Sequence, residues 1–99
     1  MTVQPGGGSG ELVVSWDPLP AAHDVTMYRV YERKGIGTWW LLAAVTPAAL
    51  GTLAPGRLGV VDAADFWPWP SAGVPQRCYA ISAVSAHGIE GPMSAEVCG

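Results

Sequence analysis

Arg77-Cys78-Tyr79-Ala80-Ile81-Ser82-Ala83-Val84-Ser85-Ala86-His87-Gly88-Ile89-Glu90-Gly91-Pro92-Met93-Ser94 decides how this chain folds. Side-chain size alternates as far as Ala86, and the pattern then breaks into a glycine-rich turn, the signature of a β-hairpin. The only two cysteines, Cys78 and Cys98, bracket the segment symmetrically about Gly88. A hairpin centred on that glycine sets them directly opposite each other, so a cross-strand disulfide is expected. The alternative is a pair of free buried thiols. A bridge closing about twenty residues contributes roughly 3 kcal/mol in the chain-entropy model.

Outward from this segment, the same alternation recurs. Leu12, Val14 and Trp16 fall on one face of a strand over Glu11–Asp17 that Pro18 and Pro20 stop. Val25–Arg33 places Tyr28 and Val30 on one face and Arg29, Tyr31 and Arg33 on the other, which is expected to be wet. Lys34-Gly35-Ile36-Gly37 reads as a hairpin turn and Thr38–Val45 as the returning strand, ended by Pro47. A helix over Leu41–Leu50 is rejected because Pro47 and Gly51 interrupt it. Arg57–Asp62 is a further strand. The stretch Phe66–Pro75 holds three aromatics among three prolines and suits neither strand nor helix. Gly6–Gly10 is a turn or a linker. Short strands and turns in regular succession predict one all-β domain over residues 1–99, an antiparallel sandwich.

Composition narrows the setting. Charged residues are 13% of the chain against the ~25% usual in globular domains. So few charges favour a surface partly covered by neighbours, unless the many alanines simply tolerate exposure. Net charge is −3 with no basic run beyond Arg33-Lys34, which argues against nucleic acid. No apolar stretch approaches the ~20 residues of a membrane span, and Met1–Pro5 lacks the regions of a signal peptide. A disulfide implies an extracytoplasmic setting: secreted, cell-surface or virion. Its coexistence with no export signal fits either a module of a longer secreted protein or a particle component released by lysis.

With these strands in place, the chain resembles the fibronectin type III family along nearly its whole length. Leu12-Val13-Val14-Ser15-Trp16-Asp17-Pro18 is similar to the family's second strand with its core tryptophan, and Val25–Tyr31 to the third. Tyr79–Ser85, with Gly88 and Gly91-Pro92, is similar to the sixth strand and the turn after it. The resemblance implies a seven-stranded immunoglobulin-like sandwich with Trp16, Tyr28, Val30, Tyr79 and Ile81 in its core. Two departures stand out. Arg77 occupies the position read as that of the family's corner tyrosine, so that hydroxyl tie is not implied. The Ala86–Gly91 turn lacks the tripeptide through which some members engage integrins.

Three sets of residues are candidates for chemistry. The strand order of the resembled fold brings Trp39, Trp40, Phe66, Trp67 and Trp69 to one end, where rigid rings either anchor a protein, stack on sugars, or bury themselves over the core. At the other end the loops holding His23 and Asp24 adjoin those holding His87 and Glu90, a weak candidate for a divalent cation because no ligand pair has motif spacing. Ser85 and His87 lie close in sequence, but no third catalytic group accompanies them. No cofactor and no enzymatic activity are expected. The expected function is a structural or interaction module whose partners are other proteins or copies of itself, as in a phage decoration or tail component. The alternative is an accessory domain of a secreted multidomain protein such as a carbohydrate-active enzyme, with carbohydrate bound through exposed tryptophan.

Overall fold

The computed structural model describes residues 1–6, 11–20, 23–34, 38–51, 53, 55–62 and 77–99. It is all-β: β1 (Thr2–Pro5), β2 (Leu12–Trp16), β3 (Val25–Lys34), β4 (Trp40–Val45), β5 (Leu58–Asp62), β6 (Arg77–Ser85) and β7 (Val97–Cys98). A 3-10 turn at Pro47–Ala49 occupies the ground of the rejected helix; Pro47 starts it and no strand hydrogen bond is lost to the proline. Two antiparallel sheets result, one ordered β1-β2-β5 and the other β4-β3-β6-β7.

Both sheets contribute to one buried cluster. Val14 and Trp16 of β2 and Leu58 of β5 meet Tyr28 and Val30 of β3, Val45 of β4, and Tyr79 and Ile81 of β6. The expected core markers Trp16, Tyr28, Val30, Tyr79 and Ile81 are therefore all buried. Period-2 alternation accounts for this, since every second side chain of β2, β3 and β6 points the same way. The rings of Trp16 and Tyr28 lie tilted with centroids 5.8 Å apart, a favourable aromatic geometry. The Tyr28 hydroxyl accepts the Leu19 amide at 2.8 Å, so the ring is buried without stranding its polar end.

Cys78 and Cys98 are joined by a disulfide and are opposed in the β6–β7 ladder. The Gly99 amide donates to the Arg77 carbonyl at 2.9 Å, which makes the cysteines a non-hydrogen-bonded pair, the closer-spaced kind. The path between turn and bridge departs from a simple hairpin. Val84 pairs with Glu90, and the Gly91 amide donates to the Ala83 carbonyl, a register two residues tighter than the one at the cysteines. The next bond runs from the Ser94 amide to the Ile81 carbonyl, where an unbroken ladder would use the Met93 amide. The return arm thus takes up one extra residue at Pro92-Met93 and a second between Ser94 and Val97. Gly88 turns the chain with φ +77°, a conformation other residues rarely adopt.

The face of β3 expected to be wet is instead roofed by the chain that follows the turn. Arg29 and Arg33 are met by Glu90 and Glu96. On the inward side, Glu32 continues the alternation of Tyr28 and Val30 and is buried.

Candidate interaction face on the four-stranded sheet

Antiparallel pairing of β3 with β6 sets Arg29 beside Ser82, Tyr31 beside Ala80 and Arg33 beside Cys78. These side chains project from the outer face, away from the shared core. Glu90 reaches over them after the Gly88 turn. Its carboxylate accepts from Arg29 Nη1 at 2.8 Å, from the Tyr31 hydroxyl at 2.5 Å and from the Ser82 hydroxyl. Those donors, Ser82 first and then Tyr31, hold the carboxyl below its ordinary range against the opposing pull of partial burial. The arrangement is a fixed polar patch: each acceptor position of the carboxylate is directed by a strand residue whose place the register sets.

Nearer the disulfide, Arg33 lies 5.0 Å over the Trp39 ring and pairs with Glu96. A continuous line therefore crosses the sheet from Trp39 through Arg33 and Glu96 to the Cys78–Cys98 bridge. Of the aromatic residues expected to gather at this end, Trp39 is half-buried by that stacking, while Trp40 is 69% exposed. Phe66, Trp67 and Trp69 lie outside the described residues.

The opposite end does bring its two loops together, as the Ala86 amide donates to the Asp24 carbonyl at 2.9 Å. It does not bring together the ligand atoms of His23, Asp24, His87 and Glu90; among the described residues the only close trio is Cys78, Glu96 and Cys98, whose sulfurs are spent on the disulfide. Glu90 is turned away by its three donors on the sheet face. A sequence carries no spacing rule for such a long-range capture, so the carboxylate's true partners were not foreseeable.

Two features escaped the sequence reading. The first is a buried tie between the sheets. The Tyr79 hydroxyl donates to Asp62 Oδ2, which Arg77 also approaches at 3.4 Å. Burial, followed by the bond to Asp62, pushes the Tyr79 phenol far above its ordinary range, so it stays protonated. Tyr79 itself thereby makes a long-range hydroxyl tie, although the expectation at Arg77 gave no hint of one. The second is an apolar groove of about 620 Å³ bordered by Trp16, Leu19, Tyr28, Ile81, Ile89 and Pro92. Residues from both sheets and from the return arm form it, and no local motif encodes such a space.

No family model, curated protein or solved structure matches this chain. Among the described residues no helix is long and apolar enough to cross a membrane.

Proposed function

We propose that this chain is a non-enzymatic structural or protein-interaction module, an immunoglobulin-like sandwich of fibronectin type III type within a larger extracytoplasmic or virion assembly. The observation that carries the reading is the Cys78–Cys98 bridge across the last two strands, beside a sheet face whose charges are internally neutralised. A disulfide persists where thiols are not kept reduced, which favours a life outside the cytosol. Seven strands in two antiparallel sheets and the buried Trp16 support this reading. Paired carboxylates and capped arginines leave a face suited to docking through shape and aromatic contact. Fold alone does not assign function, so the binding claim rests on the surface residues.

Carbohydrate binding by an accessory domain is the second reading, favoured by the exposed Trp40 ring. Titrating soluble oligosaccharides while following tryptophan emission, with Trp40→Ala as control, separates the two. A saturable change that the substitution abolishes supports the sugar reading. The protein-module reading expects no such change, together with loss of assembly into the native particle or complex for Trp40→Ala or Trp67→Ala/Trp69→Ala variants that keep wild-type stability. Full assembly by both variants would overturn it. Thiol labelling in the native compartment tests the setting, and free, reactive Cys78 and Cys98 there would contradict it.

A further inference from the structure

We infer that this chain, in its reduced form, binds a thiophilic divalent cation, with Zn2+ the fitting ion, between Cys78, Cys98 and Glu96 on the outer face of the four-stranded sheet. The site and the disulfide are alternative states of the same two sulfurs, and the inference stands independently of the module reading above.

Strand register builds the trio. Cys78 and Cys98 are opposed as a non-hydrogen-bonded pair, the kind whose side chains stand closest, and their Cα atoms are 4.0 Å apart. Glu96 precedes Cys98 by two positions, and period 2 sends both to the same face. The ligand atoms of the three residues all lie within 4.8 Å of one another, and Glu96 Oε1 stands 3.5 Å from Cys98 Sγ. A tetrahedral Zn2+ with bonds of about 2.3 Å to sulfur and about 2.1 Å to oxygen sets neighbouring sulfur and oxygen ligands about 3.6 Å apart. The carboxylate is therefore already at ligand spacing from one sulfur. Two thiolates on the same ion stand about 3.8 Å apart, a separation that rotation of the two side chains supplies once their bond is open.

The choice of ion follows from the ligands. Two thiolates select zinc over magnesium or calcium, which take oxygen. Cys78 is buried, Cys98 half-buried and Glu96 exposed, so the fourth tetrahedral position faces solvent and takes a water. Binding is a proton exchange: each thiol loses its proton as a zinc–sulfur bond forms, and two protons leave. Arg33 is the competitor, because it pairs with Glu96. When the carboxylate turns to the cation, the guanidinium keeps its place over the Trp39 ring. Closure of the disulfide passes two electrons from the thiolates to a disulfide oxidant and releases the cation, so bridge and metal exclude each other. Either one ties the two-residue β7 to β6, and the ion holds that last strand in register until the bridge forms.

The test titrates Zn2+ or Co2+ into the full chain, reduced with a phosphine that is then removed in the absence of air. One ion per chain, a dissociation constant in the low micromolar range or tighter, proton release and a thiolate-to-Co2+ charge-transfer band are expected. Glu96→Gln should weaken Zn2+ by about tenfold, whereas Asp17→Asn, which removes the same charge from the other sheet, should leave the affinity unchanged. Zn2+ should raise the melting temperature of the reduced wild type and leave oxidised wild type and Cys78→Ala/Cys98→Ala unmoved. Far-ultraviolet circular dichroism follows the fold through the same titration: the zinc form should show the β spectrum of the oxidised chain, and a reduced chain that zinc leaves disordered overturns the site. No saturable binding by the reduced chain, one ion shared between two chains, or equal binding by the oxidised chain overturns it as well. Equal affinity of Glu96→Gln and wild type overturns the role of the carboxylate.

Discussion

Removing the sulfur bridge by Cys78→Ala/Cys98→Ala tests the physical basis of this domain most directly. The two cysteines are 20 residues apart, and in the chain-entropy model a loop of that length constrains the unfolded chain by about 3 kcal/mol at room temperature. For a domain of this size total stability is about 5–15 kcal/mol, so a large fraction is at stake. Taking about 4–8 °C of melting temperature per kcal/mol, the variant should melt roughly 12–25 °C lower. Cys78 is buried on the sheet's outer face, where alanine also fits, so lost packing adds little to that figure. Urea unfolding supplies a second readout. The unbridged chain expands further when unfolded and exposes more surface, so the denaturant slope should rise as the midpoint falls. A variant melting within a few degrees of wild type, with an unchanged slope, would refute the reasoning and put the stability elsewhere. Reduction of wild type with a strong thiol should reproduce the variant, which separates the bridge from the substitutions.

Tyr79→Phe removes the hydroxyl that Asp62 accepts and leaves a buried carboxylate short of a donor. Urea midpoints should fall by the equivalent of about 1–3 kcal/mol, and a Phe variant as stable as wild type would show the tie to be idle. Glu90 gives a pH dependence of known sign. Its folded carboxyl lies below its unfolded value, so its contribution is complete above the unfolded value and is lost as pH falls through the folded one. The stability gap between wild type and Glu90→Gln should therefore shrink in acid, and a gap that widens there contradicts the assignment. Gly88→Ala forces a side chain into a backbone conformation with φ +77° and should cost about 1 kcal/mol or more in thermal melts, although the site has open space.

Much of the fold was legible from residue order. Leu12, Val14 and Trp16, like Tyr28 and Val30, repeat every second position, and period 2 alone sends them to one face. The symmetric spacing of Cys78 and Cys98 about Gly88 located the bridge even though the return arm slips by two residues between Gly91 and Val97. The site was harder to read. Arg29, Tyr31 and Arg33 were recognisable as an outward face, but Glu90 and Glu96 reach them across about sixty residues of chain. No local pattern announces such a capture, so the face expected to be wet is instead half-covered and neutralised.

Side-chain alternation, proline and glycine placement, and cysteine register are properties of a strand and its turn, and they were decided by residues near one another in sequence. The Asp62–Tyr79 tie, the Glu90 patch, the apolar groove and the exposure of Trp40 and Leu41 arise only when separate strands lie side by side. Their energies depend on distances and burial between remote residues, which exist only once both sheets have closed on their common core.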